Sequence, residues 1–334
     1  MIAGGPMRRR DFLYALGGLA AAWPLAARAQ QADRIRRIGV LMLYPESDPQ
    51  GQLRATAFQQ GLQQLGWVVG RNVQIDLQWG FGDADWLRSA AAQLLRLAPD
   101  VILANGTPAA KTMQQATRTV PVVFIAGSDP VLDGLMSSLA HPGGNLTGFY
   151  VFEPSLGPKM LELLKEIAPR IARVVILFNP DANSASWNAS AVAAGPKFAV
   201  EVVTAPVRDA KEIEAAMAHW GREPNVGLIV VPDPATNAHR KLINELAVRY
   251  RLPVIHPLRA AAADGGLISY GVDLPNVFRQ AAVYADRILK GADPADLPIS
   301  LPTKFELVIN LTTAKIMGID VPMSLMVGAD EMID

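Results

Sequence analysis

Cysteine is absent from this 334-residue chain. That excludes a disulfide framework, a Cys-ligated zinc, a thiol nucleophile, an iron–sulfur cluster and a lipid anchor on an N-terminal cysteine. Histidine is scarce: His141, His219, His239 and His256 are the only four, and none pairs with another at a metal-ligand spacing. A metal site is therefore not expected. Charge of one sign is missing too, since 31 Lys and Arg balance 31 Asp and Glu. The basic face of a nucleic-acid binder is not expected either. Beyond the first thirty residues no apolar run approaches the ~18 residues of a membrane span. What remains is a globular balance, 50% hydrophobic and 19% charged, over a length that suits two domains.

Residues 1–29 read as an export signal. Arg8-Arg9-Arg10-Asp11-Phe12-Leu13 leads into a Gly- and Ala-rich apolar run, which ends at Ala27-Arg28-Ala29. Charged, apolar and small segments in that order form a cleavable address. The paired arginines before Phe12-Leu13 are similar to a twin-arginine signal, whose route carries folded cargo. Cleavage after about Ala29 removes Arg8, Arg9, Arg10, Arg28 and Asp11, leaving a mature chain with three more acids than bases. A periplasmic location without a lipid anchor is expected.

After the signal, short apolar runs alternate with amphipathic stretches. Strands are expected at Ile38–Leu43, Val73–Trp79, Val101–Ala104 and Val122–Ile125, with helices at Gln52–Leu65, Asp83 to about Leu97, and Thr107–Thr117. The pattern then restarts. Strands fall at Val174–Phe178, Val202–Thr204, Val226–Val231 and Val254–Ile255, with helices at Lys159–Ile167, Ser184–Ala199, Ala210–His219 and Ala238–Tyr250. Strands alternating with helices imply parallel sheets covered on both faces. Two passes imply two similar doubly wound α/β lobes. The tail, with strands at Leu267–Tyr270 and Phe305–Ile309 and helices at Val277–Leu289 and Thr313–Met317, is too short for a third. It adds to both lobes: 36–147 with 272–301 in the first, 149–269 with 304–330 in the second. Crossings at Gly148–Pro154, Tyr270–Asp273 and Leu301–Lys304 would form a multi-strand hinge.

Ligands of open α/β sheets lie beyond the carboxyl ends of the strands. That rule selects Tyr44, Asn105, Thr107, Ser128 and Asp129 in the first lobe, and Asn179, Asn183, Ser184 and Asp233 in the second. It adds Tyr270 and Asp273 at a crossing, with the cleft between the lobes as the binding place. Asn105-Gly106-Thr107-Pro108 is the most readable of these loops. Thr107 is placed to cap a helix and Pro108 to begin it, so the free amides and the Thr107 hydroxyl would attract a carboxylate. Asp129 and Asp233 each precede a proline and suit ordinary turn duty as well as a ligand role. Asp273 could balance a ligand ammonium. Tyr44, Tyr150, Trp187 and Tyr270 could stack on a solute. No phosphate loop, dinucleotide fingerprint or nucleophile elbow is present, so no cofactor and no catalytic residue are assigned. His256, at a strand end, is the one histidine near these loops. An exported α/β hydrolase or isomerase using Asp129 and Asp233 is the alternative. A transcription regulator would need a DNA-binding helix pair where the export signal stands.

Several stretches together resemble one family. They are Arg37-Ile-Gly-Val-Leu, Phe58-Gln-Gln-Gly-Leu, Gly70-Arg-Asn-Val, Ala98-Pro-Asp-Val-Ile, Gly106-Thr-Pro-Ala, Asp129-Pro, His141-Pro-Gly-Gly-Asn-Leu-Thr-Gly, Leu161-Glu-Leu-Leu-Lys-Glu-Ile, Ile268-Ser-Tyr-Gly and Lys304-Phe-Glu-Leu-Val-Ile-Asn-Leu-Thr-Thr-Ala-Lys. The chain resembles the tryptophan/tyrosine-type substrate-binding proteins of bacterial ABC transporters over about 35–332. The resemblance implies the type I periplasmic-binding fold. It also implies a receptor that carries a small solute to a permease and its ATPase, a role that a monomer suits. Thr107, Asp129, Asn183 and Asp273 are the cleft positions it carries over. The loop Val231-Pro-Asp-Pro-Ala-Thr236 departs from the Pro-Thr-Asp-Asn of the amino-acid binders. The expected solute is accordingly an amino acid, an aromatic or another small carboxylate.

Overall fold

The computed structural model describes residues 34–80, 83–152, 154–180 and 185–334. The export signal lies outside these residues, as do Asn183 and Ser184. The first sheet has five strands in the order β2-β1-β3-β4-β5, all parallel: β1 (Arg36–Met42), β2 (Val73–Trp79), β3 (Val101–Asn105), β4 (Val122–Ala126) and β5 (Leu146–Tyr150). Its crossover helices are α1 (Pro49–Gln64), α2 (Ala84–Arg96) and α3 (Thr107–Ala116). Strands β3, β4 and β5 are buried along their whole length, which is why β3 and β4 read as apolar runs rather than alternating ones.

The second lobe begins with α4 (Leu156–Ile167) and β6 (Arg173–Phe178), followed by α5 (Ala185–Ala194), β7 (Glu201–Pro206), α6 (Ala210–Trp220) and β8 (Val226–Val230). It continues through α7 (Pro234–Ala238), α8 (Arg240–Tyr250), β9 (Val254–His256), α9 (Arg259–Ala263) and β10 (Ile268–Val272). The chain then returns to the first lobe as α10 (Leu274–Leu289), which packs along α1. The approach is close because Gly61 has no side chain: a Cβ there would meet Ala282 Cβ at 2.8 Å and the Arg279 carbonyl at 3.0 Å. Trp67 fixes the end of this contact by donating to Asp286 at 2.8 Å. A last passage gives β11 (Phe305–Asn310), α11 (Leu311–Met317), α12 (Met323–Gly328) and β12 (Glu331–Ile333). The seven-stranded order is β12-β11-β10-β9-β8-β6-β7. Only β11 against β10 is antiparallel, since the chain re-enters from the far lobe.

Several expectations need correction. Leu146–Tyr150 is a strand, where turn-forming composition suggested a connection. Gly148 disguises it: a Cβ there would lie 2.0 Å from the Phe124 carbonyl oxygen, so only glycine permits the β4–β5 approach. The helix expected over Ser184–Ala199 ends at Ala194 and gives way to a 3₁₀ turn at Gly195–Phe198, around Gly195-Pro196. The helix expected over Ala238–Tyr250 is two helices, interrupted at His239. Helices α9 and α12 and strand β12 are too short to have carried a periodic signal.

Hydrogen bonds bind the crossings to one another. Tyr150 N–H donates to the Ser300 carbonyl at 3.1 Å, and Ser300 N–H to the Gly148 carbonyl at 2.9 Å. Asp273 N–H donates to the Lys304 carbonyl at 3.2 Å, and Lys304 Nζ to Asp273 Oδ2 at 2.8 Å. Three strand-like passages tied side to side bend together more readily than they twist apart.

Candidate functional site

Tyr44, Asn105, Thr107, Ser128 and Asp129 stand at or just beyond the carboxyl ends of β1, β3 and β4, and of these Thr107 and Ser128 are in contact. Asn105 closes β3 and is buried. Gly106, at φ 97°, holds the N-cap position of α3, and no side chain caps that end. Thr107 is therefore not the cap that the sequence suggests but the first helical residue. Its hydroxyl turns sideways to Ser128 Oγ, 2.8 Å away. Ser128 in turn donates to Asp133 Oδ2, and Asp133 Oδ1 accepts from Lys111 Nζ at 2.9 Å. The carboxylate can only accept, so the chain of donors is directional: Ser128 gives its proton to Asp133, and its oxygen accepts from the Thr107 hydroxyl. The uncapped first turn of α3 and two oriented hydroxyls thus share one strand edge. An N-terminal helix end of this kind favours an anion. Lys111 and Asp133 went unnoticed in the sequence, because an i-to-i+22 ion pair has no local signature.

Asp129 is engaged in a turn, its Oδ1 accepting from Val131 N–H at 2.8 Å and Leu132 N–H at 3.2 Å. Tyr44 lies two residues beyond β1, with the Arg54 guanidinium 4.6 Å from its ring centre and donating to its hydroxyl. Arg54 carries no sequence signal: it stands in α1 among the apolar positions that face the core.

The second lobe presents Asn179 and Asp233 at the ends of β6 and β8. Asp233 Oδ1 accepts from Thr236 N–H at 2.8 Å, and its Oδ2 from Asn179 N–H at 3.2 Å, so the carboxylate joins two strand-end loops. Beneath it, Val230, Thr236, Asn237, Arg240 and His256 line a crevice of ≈ 10 Å³, room for one water. Burial, with Arg240 nearby, lowers the His256 pKa to about 3, so the ring is neutral, and its Nε2 has no hydrogen-bond partner. A larger hollow of roughly 780 Å³ lies on the flanks of α6 and α8, lined by Lys211, Glu214, Glu245 and Arg249. It contains no strand-end residue.

Tyr270, expected at a crossing, lies inside β10 opposite Leu307 of β11; it stacks on Phe305 with ring centres 5.8 Å apart, and burial raises its pKa. Asp273 is buried and doubly engaged. Oδ1 caps α10 through Asn276 N–H at 2.9 Å, while Oδ2 holds Lys304, whose pKa that bond raises. Burial also raises the pKa of neighbouring Glu306, with Asp273 adding to it. Among the described residues no group of three or more His, Asp or Glu side chains could hold a metal ion.

Comparison with known proteins identifies this architecture. The family described as ABC transporter substrate binding protein matches residues 42–333. A tyrosine-binding protein of Clostridioides difficile is 27% identical over 259 residues, 77% of this chain and 74% of that one. An ABC domain from Streptococcus pneumoniae, solved with L-Trp, superposes with a TM-score of 0.80 at 26% identity, over 89% of this chain and 99% of that one. A conserved domain protein from Vibrio cholerae gives 0.81 at 25% identity, over 90% and 100%. The chain belongs to the ABC transporter substrate binding proteins and has the type I periplasmic-binding fold. It is a binding protein of a solute-uptake system, not the exported enzyme held as the alternative.

Proposed function

We propose that the lobes 36–147 with 272–301 and 149–269 with 304–330 close around one small carboxylate-bearing organic solute, which the receptor hands unchanged to a permease and its ATPase. The observation that carries this reading is the uncapped start of α3, with Thr107 and Ser128 hydroxyls converging beside it. A carboxylate placed there receives the free backbone amides of the first turn of α3, beside a loop that the Thr107–Ser128–Asp133 hydrogen bonds hold in place, in a cleft that closure dries. The relatives' cargoes, tyrosine and L-Trp, support a carboxylate carried on an aromatic or similar skeleton. Tyr44, Asn105 and Asp129 border the first half-site. Asn179, Asn183, Ser184 and Asp233 complete it from the second lobe on closure. Asp273 acts at the crossing by tying the hinge passages through Lys304, and Tyr270 lies before it in β10.

In this reading the chain leaves the cytoplasm by the twin-arginine route, loses its signal after about Ala29 and works in the periplasm as a free monomer. The test of the site is calorimetry on the mature protein with a panel of amino acids, aromatic acids and aliphatic carboxylates. Replacing Thr107 by Val together with Ser128→Ala removes both hydroxyls. The expected outcome is at least about a tenfold loss of affinity with the thermal midpoint little changed, equivalent to about 1.4 kcal/mol. Undiminished affinity places the carboxylate elsewhere.

A further inference from the structure

Around the strand ends, the aspartates Asp48, Asp129, Asp133, Asp233 and Asp273 already serve protein donors, and the Glu46 side chain is exposed. Asp48 accepts from Gln50 and Gly51 amides at 2.8 and 2.9 Å. Asp129 and Asp233 hold backbone amides, Asp133 holds Lys111 and Ser128, and Asp273 holds Lys304 and a helix end. One cation stands outside this pairing. Arg54 is only 5% exposed, yet no described carboxylate lies within 4 Å of its guanidinium. Its Nε is buried with no hydrogen-bond partner, and its one hydrogen bond goes to the neutral hydroxyl of Tyr44. A buried charge with neutral company is poorly compensated, and a cation–π contact restores only part of what water gave.

The position of Arg54 says what could compensate it. Tyr44 belongs to the loop leaving β1, and Gly51 is pressed against it, a Cβ there meeting Tyr44 Cβ at 2.8 Å and the Trp79 ring at 3.1 Å. The neighbouring residue Leu43 reaches the next strand end, where a Cβ on Gly106 would meet it at 2.5 Å. Tyr44 and Arg54 therefore flank the same edge as Thr107.

We propose that Arg54, presented through Tyr44, makes the cleft selective for a net-anionic solute: a carboxylic acid without an ammonium group, or a dicarboxylate. The inference rests on the receptor reading above and narrows its solute class. A buried positive charge beside the strand edge and aspartates already engaged favour an organic anion over a zwitterion, whose ammonium would have to compete for Asp129, Asp233 or Asp273. Arg54 acts through Tyr44 and through its field, as a specificity-determining residue.

The test pairs solutes that differ by the ammonium group: phenylalanine against phenylpropanoate, and aspartate against succinate. Calorimetry on the mature protein at low and high salt reads each affinity. The expected result is that one deaminated acid binds at least about tenfold tighter than its zwitterionic partner, and that this preference shrinks with salt. Arg54→Gln should erase the preference and Arg54→Lys should keep part of it. The wild-type ratio alone decides the matter if either variant fails to fold. Tighter binding of the zwitterions, or a preference that survives Arg54→Gln in a folded protein, overturns the proposal and leaves the receptor reading intact. Failure of every organic solute to bind overturns both.

Discussion

Single residues hold this fold at points where a substitution is costly. Gly148 has φ 153° and lies against the Phe124 backbone, so both conformation and space exclude a side chain. Gly148→Ala should lower unfolding stability by about 3 kcal/mol or more, read from urea midpoints. Its neighbour Thr147 is fully buried and donates to the Leu297 carbonyl at 2.7 Å, joining β5 to the segment before the third crossing. Thr147→Val keeps the shape, leaves that carbonyl unpaired, and should cost about 1–3 kcal/mol. His256 supplies a pH dependence. Its folded pKa of about 3 lies below the unfolded 6.5, so the unfolded chain takes a proton that the folded one refuses. Stability then falls as pH drops from 6.5 toward 3, by up to about 1.4 kcal/mol per pH unit from this group. In His256→Gln that acid-side slope should be shallower, and an unchanged slope would show that the ring titrates normally. Residue-scale features of this kind were hard to read in advance. The glycine that makes β5 possible also made it look like a turn, and Arg54 looked like one more helix residue.

At the scale of elements, legibility follows the strength of the local pattern. Asp83 capping α2, with its Oδ1 accepting from Asp85 and Trp86 amides, stands where the sequence put it. Gly66, at φ 91°, follows α1 and ends it. Long amphipathic helices and buried strands were readable because burial dictates their spacing. Short elements such as α9 and β12 are stabilised by neighbours distant in sequence, which no local period records. Helix α10 shows the same limit at its start. It begins three residues before its apolar pattern does, because Asp273 caps it and Pro275 suits the first turn. Since that cap also grips Lys304, two variants separate the roles. Asp273→Asn retains a capping oxygen and should lose less stability than Asp273→Ala, for which the cap alone predicts about 1 kcal/mol. Both should loosen the tie between the second and third crossings, seen as faster amide exchange at Asp273 and its neighbours.

For the whole molecule, two sheets joined by three passages make a receptor whose closed state is stabilised by what it encloses. A solute at 100 times its dissociation constant should raise unfolding stability by about 2.7 kcal/mol. The nearness of Thr107 and Ser128 was legible because strand ends gather the loops of any open α/β sheet, and their hydroxyls lie 2.8 Å apart. Which donors remain uncommitted was not legible, because the Asp133–Lys111 and Asp273–Lys304 pairings span 22 and 31 residues. The proposed export is tested at this scale as well. Replacing both Arg9 and Arg10 by Lys should leave full-length precursor in the cytoplasm, while the parent chain appears in the periplasm starting at Gln30, as intact-mass analysis of cell fractions would record. The central claim is that a small carboxylate is held at the Thr107–Ser128 edge and released unchanged. Native mass spectrometry of the mature protein as purified, with the bound solute identified after gentle release, tests it most directly. The account predicts one small organic acid per chain, unaltered, and lost from the Thr107→Val, Ser128→Ala protein. A solute retained by that variant, or one recovered as a reaction product, would contradict it.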